Sequence, residues 1–372
     1  SGSPSIQETR HGLCQTDVSD TFCCPHPKKL VLSISLKEES TCFSLRADNP
    51  PSIQSRNSTP ILCLTLRIIR QVVVFFCCRR IKKDVHEEVG SKQMLSAIKE
   101  SKYRQVLIYI HGFSNLPEHV FENVQEFQSL CNKEKNGEVL VIPIIWPCDN
   151  DLGLVKDYWD DQKSADQSAF AFARMFQKFM AWRSSADSNP EDDPCLKRIN
   201  VLAHSMGNRV LRETLSNWQK YDQPNGLPLL FRNTFLVAAD ILNESLHKGE
   251  PGELISHASR NVVVYYASDD LALRASKVSN VKNAEASRRL GHSGPEDMDL
   301  TPKNVYAIDC DEVNTIYDPP KGHSYFRSGK TKGTPGVVFD HIFETILTGR
   351  VFPSEEFRKS SILALPKSRK SS

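Results

Sequence analysis

An apolar run over residues 199–203 meets Ala203-His204-Ser205-Met206-Gly207, and a helix-like segment over 208–213 starts at once. A buried strand that becomes a helix within a few residues has few backbones open to it. The turning residue must take a strained conformation, and small side chains two before and two after it let strand and helix pass closely. Such a turn pushes a serine hydroxyl out at the end of the strand. The arrangement is a nucleophile elbow, with Ala203 in place of the first glycine of the usual G-x-S-x-G pattern. Ordinary strand-to-helix turns can carry the same spacing, so the rest of the chain has to decide the reading.

From residue 84 the pattern is regular. Near-continuous apolar runs at 105–110, 139–146, 198–203, 234–239, 261–267 and 305–308 read as strands buried on both faces. Helical patterns at 84–101, 118–132, 161–182 and 341–348 fall between or after them. Strands alternating with helices predict an α/β domain, a mostly parallel central sheet flanked by helices. About 20 residues separate Asp240 from the next strand, too few for a large cap domain. The domain is expected over 61–355. Residues 1–60 form a poorly defined Cys-, Ser- and Pro-rich region, with one alternating run at 30–36 expected as a strand. Residues 356–372 are expected as a basic flexible tail.

The run from Ile61 to Cys78 is strongly apolar but interrupted by Arg67 and Arg70. A central arginine costs a membrane span about 2.5–3.5 kcal/mol, so a strand or strand pair is expected there in preference to membrane contact through 61–83. Cys77-Cys78 before Arg79, Arg80, Lys82 and Lys83 could be an acylated basic anchor. Two cysteines ending a buried strand is the expected reading. Charge is nearly balanced, 47 Lys plus Arg against 45 Asp plus Glu, which argues against a nucleic-acid partner. The 11 cysteines include no Cys-x-x-Cys pair, so no metal site is expected. Their solitary placement after residue 79 and a polar start lead to an expected cytoplasmic location.

A serine hydroxyl needs a base to take its proton, an acid to hold that base and donors for the oxyanion. On this scaffold they follow in the order Ser, Asp or Glu, His, at the C-terminal ends of strands. Asp269 and Asp270 follow the strand at 261–267, and Asp240 ends the strand before it. His323 follows the last strand and its loop. His292 precedes that strand, His341 lies at a helix start, and His204 adjoins the serine with its side chain expected to point elsewhere. The oxyanion donors would be the N–H of Met206 and, in the loop His111-Gly112-Phe113, that of Phe113. Trp146 and Tyr158 either border the pocket or pack the sheet. Polar residues 271–303, with Arg274, Lys277, Lys282, Arg288 and Arg289, read as a solvated face.

The chain resembles an esterase- and lipase-like branch of the α/β-hydrolases known as a domain of unknown function. The resemblance rests on residues 108–115, Ile145-Trp146-Pro147, residues 158–161 with Ser168, residues 202–209 and residues 237–240. It continues in residues 266–273, Arg289-Leu290-Gly291 and residues 322–325, in family order from about 100 to 350. In that family the Tyr266-x-Ser268-x-Asp270-x-Ala272-Leu273 element carries an acid at its fifth position, which implies Asp270. Asp240 also matches a family position and is expected to help shape the pocket. The resemblance implies a serine hydrolase acting on a small-molecule carboxylic ester through Ser205, His323 and Asp270, a chemistry that calls for no metal or organic cofactor. The rival expectation is a non-catalytic binding or scaffold protein on the same fold, since fold alone does not fix activity.

Overall fold

Strands that are largely apolar on both faces need cover on both, and the sheet meets that need with two helical layers. The computed structural model describes residues 61–69, 72–82, 85–148, 154–188, 195–275, 288–353 and 357–364. The strands are β1 (Ile61–Ile69), β2 (Val72–Lys82), β3 (Val85–Glu88), β4 (Gln105–Ile110), β5 (Val139–Ile145), β6 (Arg198–His204), β7 (Phe231–Val237), β8 (Ser259–Tyr266), β9 (Val305–Asp309) and β10 (Lys359–Ser361). The helices are α1 (Gly90–Glu100), α2 (Pro117–Lys135), α3 (Leu154–Ser188), α4 (Gly207–Asp222), α5 (Glu253–His257), α6 (Leu290–Ser293), α7 (Asn314–Tyr317) and α8 (Val337–Thr348). The strand order is β10-β9-β8-β7-β6-β4-β5-β1-β2-β3. Neighbours from β10 to β1 pair in parallel, and β2 and β3 turn back antiparallel.

Alternation along each strand divides the apolar residues between two cores. Val106 and Ile110 of β4, Val201 and Ala203 of β6, and Val262 and Val264 of β8 pack with Met94 of α1, Phe172 and Phe176 of α3, and Leu211 and Trp218 of α4. Leu107, Tyr109, Leu202, Val263 and Tyr265 pack the other way, with Val124 and Phe127 of α2 and Phe339 and Ile342 of α8. α3 and α4 are joined by a two-pronged ion pair, Arg209 to Asp166 at 2.7 and 2.9 Å. A row of buried amides crosses the strands at their N-terminal ends. Asn261 donates to Asn233 (2.8 Å), Asn233 to Asn200 (2.8 Å), Asn200 to Gln105 (3.3 Å) and Gln105 to Glu138 (3.0 Å).

Three expectations change. The helix expected over 84–101 is a strand and then a helix. Residues 85–88 pair with β2, which gives their backbone groups partners, and Gly90 at φ 72° breaks the strand so that α1 can begin. α3 starts before residue 161, at Leu154, and α8 before residue 341, at Val337. The C-terminal segment is not a free tail from 356. Residues 359–361 add β10 to β9, and the Arg358 guanidinium behind them donates to the carbonyls of Pro302 (2.9 Å) and Met298 (2.6 Å).

The run at 61–78 forms a hairpin of β1 and β2 with Cys63 opposite Cys78. Cys77 and Cys78 are both buried, one in each core, and burial pushes the Cys77 thiol up to about 12. Among the described residues no helix is long and apolar enough to cross a membrane. The strand expected at 30–36 lies outside the described residues. The stretch from β7 to β8 holds turns and the five-residue α5, with no cap domain.

Candidate active site

β6 and α4 meet at Ser205, whose φ is 53°, in the left-handed region that a non-glycine residue takes at a cost of about 1–2 kcal/mol. The strain is held by hydrogen bonds. The Ser205 N–H donates to the Val237 carbonyl (3.0 Å), and the Ser205 carbonyl accepts from the N–H groups of Asn208 (3.1 Å) and Asp240 (3.2 Å). The Asn208 amide adds bonds to the carbonyls of Ala203 (3.0 Å) and Ser205 (2.9 Å). Two glycines permit the crowding. A Cβ on Gly207 would lie 2.5 Å from the Ile110 carbonyl oxygen, and one on Gly112 would lie 2.6 Å from the Ser205 Cβ.

Asp270 and His323 come together across the ends of β8 and β9. His323 Nδ1–H donates to Asp270 Oδ2 at 2.7 Å, and Asp270 Oδ1 accepts the Leu273 N–H at 3.0 Å. Asp270 is wholly buried. Burial works against a charged His323 ring, but the Asp270 carboxylate and its bond, with Asp240 and Asp318 behind them, outweigh it and hold the ring above its ordinary value. The loop bearing His323 is itself pinned. One Asp318 carboxylate oxygen accepts the N–H groups of His323 and Ser324, both at 2.8 Å. Asp269, the neighbour of the acid, turns away and accepts from the Asn314 amide, which also donates to the Gly322 carbonyl at 3.1 Å.

His204 does not point away from the site. Its Nε2–H donates to the His323 carbonyl (3.1 Å), and the two rings lie 4.7 Å apart. Burial first, and the neighbouring His323 second, push His204 well below its ordinary value, so it stands neutral. His292 lies in α6, and His341 bonds to the Tyr265 hydroxyl (2.6 Å) and the Phe352 carbonyl (2.7 Å).

The loop after β4 carries Phe113, the second donor expected from the sequence. His111 is fully buried, and burial pushes its ring down to about 4. The neutral ring accepts the Trp146 N–H at Nε2 (3.1 Å) and donates from Nδ1 to the Gly112 carbonyl (2.9 Å). Trp146 is wholly buried, stacks on His111 at 5.1 Å and donates its indole N–H to the His111 carbonyl (2.8 Å). It supports the loop and does not border an open pocket. The Asn115 amide takes the carbonyls of Gly112 (3.1 Å) and Phe113 (2.9 Å). Among the described residues neither the Phe113 nor the Met206 backbone N–H has a partner in the protein.

Asp240 stays at the elbow, but its carboxylate is occupied. The Tyr158 hydroxyl donates to Oδ2 at 2.9 Å and the Arg289 guanidinium pairs with Oδ1 at 3.3 Å. The reading of Arg289 as part of a solvated face is therefore corrected: only 5% of it is exposed, because its charge is met by Asp240. Lys277 and Lys282 of that face lie outside the described residues. Reasoning from sequence also missed Asp318 and Asn208. The first had a signal, an Asp-Pro-Pro turn five residues ahead of the histidine. Among the described residues no group of three His, Cys, Asp or Glu side chains could hold a metal ion.

A parallel sheet with a left-handed serine between β6 and α4, and an acid and a histidine at the ends of later strands, defines an α/β-hydrolase. Residues 87–330 match the family described as alpha/beta hydrolase of unknown function (DUF900), and the chain belongs to that family. No curated protein and no solved structure matches it.

Proposed function

We propose that the chain is a serine hydrolase that cleaves carboxylic esters. The observation that carries this reading is the Asp270–His323 bond of 2.7 Å at the C-terminal end of a sheet whose elbow holds Ser205 at φ 53°. Asp270 fixes the tautomer with the proton on Nδ1, which leaves Nε2 of His323 as a base. Ser205 Oγ attacks the carbonyl carbon and passes its proton to that nitrogen. The carbonyl oxygen becomes an oxyanion facing the Phe113 and Met206 N–H groups. His323 then returns the proton to the departing alkoxide, which leaves as an alcohol. Water repeats the sequence on the acyl-enzyme and releases the acid. Removing one oxyanion donor in such sites costs about 3–4 kcal/mol, and here both donors are backbone groups held by neighbouring bonds.

The test is labelling with a fluorophosphonate, read by intact mass, alongside turnover of short- and long-chain p-nitrophenyl esters. Wild type is expected to take one adduct and Ser205→Ala none, with ester turnover abolished. Unchanged turnover in a pure, folded Ser205→Ala protein would sink the mechanism. An unlabelled but folded wild type would favour a non-catalytic binding protein on this fold.

A further inference from the structure

The first turns of α3 lie against the loop that follows β4, and two side chains three residues apart on one helical face hold it. Asp161 accepts the Ser114 N–H at 3.2 Å, at a residue whose φ of 58° is left-handed like that of Ser205. Tyr158 sets its ring edge-on to Phe113, with centroids 5.7 Å apart at 68°. Its hydroxyl reaches the other way, to Asp240. Asp240 is tied to the elbow by its own N–H on the Ser205 carbonyl and is neutralised by Arg289. A continuous path results: Ser205, Asp240, Tyr158, Phe113. Tyr158, Asp240 and Arg289 are each no more than 6% exposed.

We propose that Tyr158 is a positioning residue for the oxyanion loop, with the Asp240 carboxylate as its anchor and Arg289 as the cation that pairs with this anchor. The proposal rests on the serine-hydrolase reading of the site. Phe113 belongs to no strand or helix, so regular secondary structure does not fix where its N–H points. An oxyanion donor must sit about 2.7–3.1 Å from the developing charge, and a misplacement near 1 Å costs about a hundredfold in rate. The Tyr158–Asp240 bond couples the two halves of the oxyanion site, because one end of the path touches the residue before Met206 and the other touches Phe113. It also gives Asp240 a role that does not compete with Asp270. Both Asp240 oxygens face Tyr158 and Arg289, while Asp270 holds the histidine.

The test compares a p-nitrophenyl ester with its thionoester, in which C=S replaces C=O, on the full chain. Sulfur is a weak hydrogen-bond acceptor, so the donors accelerate the oxygen ester far more than the thionoester. Tyr158→Phe keeps the ring on Phe113 and removes only the hydroxyl. It is expected to lower kcat on the oxygen ester about tenfold, with KM and thionoester turnover each within about twofold of wild type. Asp240→Asn is the second variant, in case the first folds poorly, and is expected to show the same asymmetry. Equal losses on both esters in a folded variant, or no loss, would overturn the positioning role. Fluorophosphonate labelling separates the two ideas. If Ser205 labels and Tyr158→Phe behaves as wild type, only the positioning role falls. If folded wild type neither labels nor turns over either ester, both fall.

Discussion

Asp269 and Asp270 are adjacent in the chain, yet one is bonded to the histidine and the other to Asn314. Sequence spacing alone left them level, with Asp240 as a third choice, because all three lie at strand ends. What separates them is direction. The backbone of residues 267–270 turns so that Asp270 lies under His323 and caps the Leu273 N–H, a direction that spacing does not encode and that only the family element around Tyr266–Leu273 implied. Asp270→Asn is expected to lower kcat by about 10⁴, since an amide favours the wrong tautomer, whereas Asp240→Asn should cost far less. Steady-state kinetics on folded variants checks this, and the reverse order would move the acid to β7. The raised His323 value also has a sign. In the proposed mechanism the base works only when neutral, so kcat/KM should fall as pH drops through a midpoint above 6.5, the ordinary histidine value. Asp270→Asn should move the midpoint of any residual activity downward. A midpoint in wild type below 6.5 would contradict the pairing.

At the level of elements, the legible parts were those with strong periodicity. The strands from β4 to β9 were readable because each is an apolar run, and the elbow because small residues flank a serine between a strand and a helix. β3 was missed because its sequence, Val85-His86-Glu87-Glu88, has helix-forming glutamates and gains its extended form only by pairing with β2. β10 was missed for a similar reason, since its basic residues look like a solvated end until Arg358 finds its carbonyl partners. The crossing of α4 over the end of β4 permits a sharp prediction. Gly207→Ala would place a methyl 2.5 Å from the Ile110 oxygen and 2.6 Å from the His111 oxygen, both backbone atoms that cannot swing aside. It should cost about 1–3 kcal/mol of stability and most of the proposed ester turnover, because the displaced segment leads into the loop of Phe113. Urea unfolding with parallel rate measurements checks this. Wild-type behaviour in both would mean that the crossing is looser than described.

Across the whole molecule, the parallel sheet flanked by helices followed from continuous apolar runs alternating with helical patterns, but the buried charges and histidines did not. Whether a histidine is buried depends on packing from distant segments, as with His111 beneath Trp146 and His204 against His323. Both have folded-state values pushed below 6.5 by burial, that of His111 to about 4, so below 6.5 the unfolded chain binds the extra protons. Stability contributed by their neutral forms is therefore intact above 6.5 and is lost as pH falls. Each can steepen the fall by up to about 1.4 kcal/mol per pH unit. His323 runs the opposite way, its pairing with Asp270 being lost as pH rises through its raised value. The melting temperature should drop on going from pH 7 to pH 5, and His111→Gln should flatten that slope if the variant folds. A melting temperature independent of pH over that range would refute the account.

The amide row at the base of the sheet has a consequence for how these strands find their places. A strand that is apolar on both faces stays oily on both after a slide along its neighbours, so hydrophobicity alone does not fix how far along it sits. A slide by one residue or by two leaves the cores nearly content. It would carry Asn200, Asn233 or Asn261 out of line with its neighbours and strand their amide groups in a dry interior. A buried polar atom without a partner costs about 1–3 kcal/mol, and every misaligned strand breaks the row on both sides. The row therefore acts as a vernier. Hydrophobicity buries each strand on both faces, and five side chains from Glu138 to Asn261 choose how far along it sits. Ser205 at one end of β6 owes its height above the sheet to an asparagine near the other.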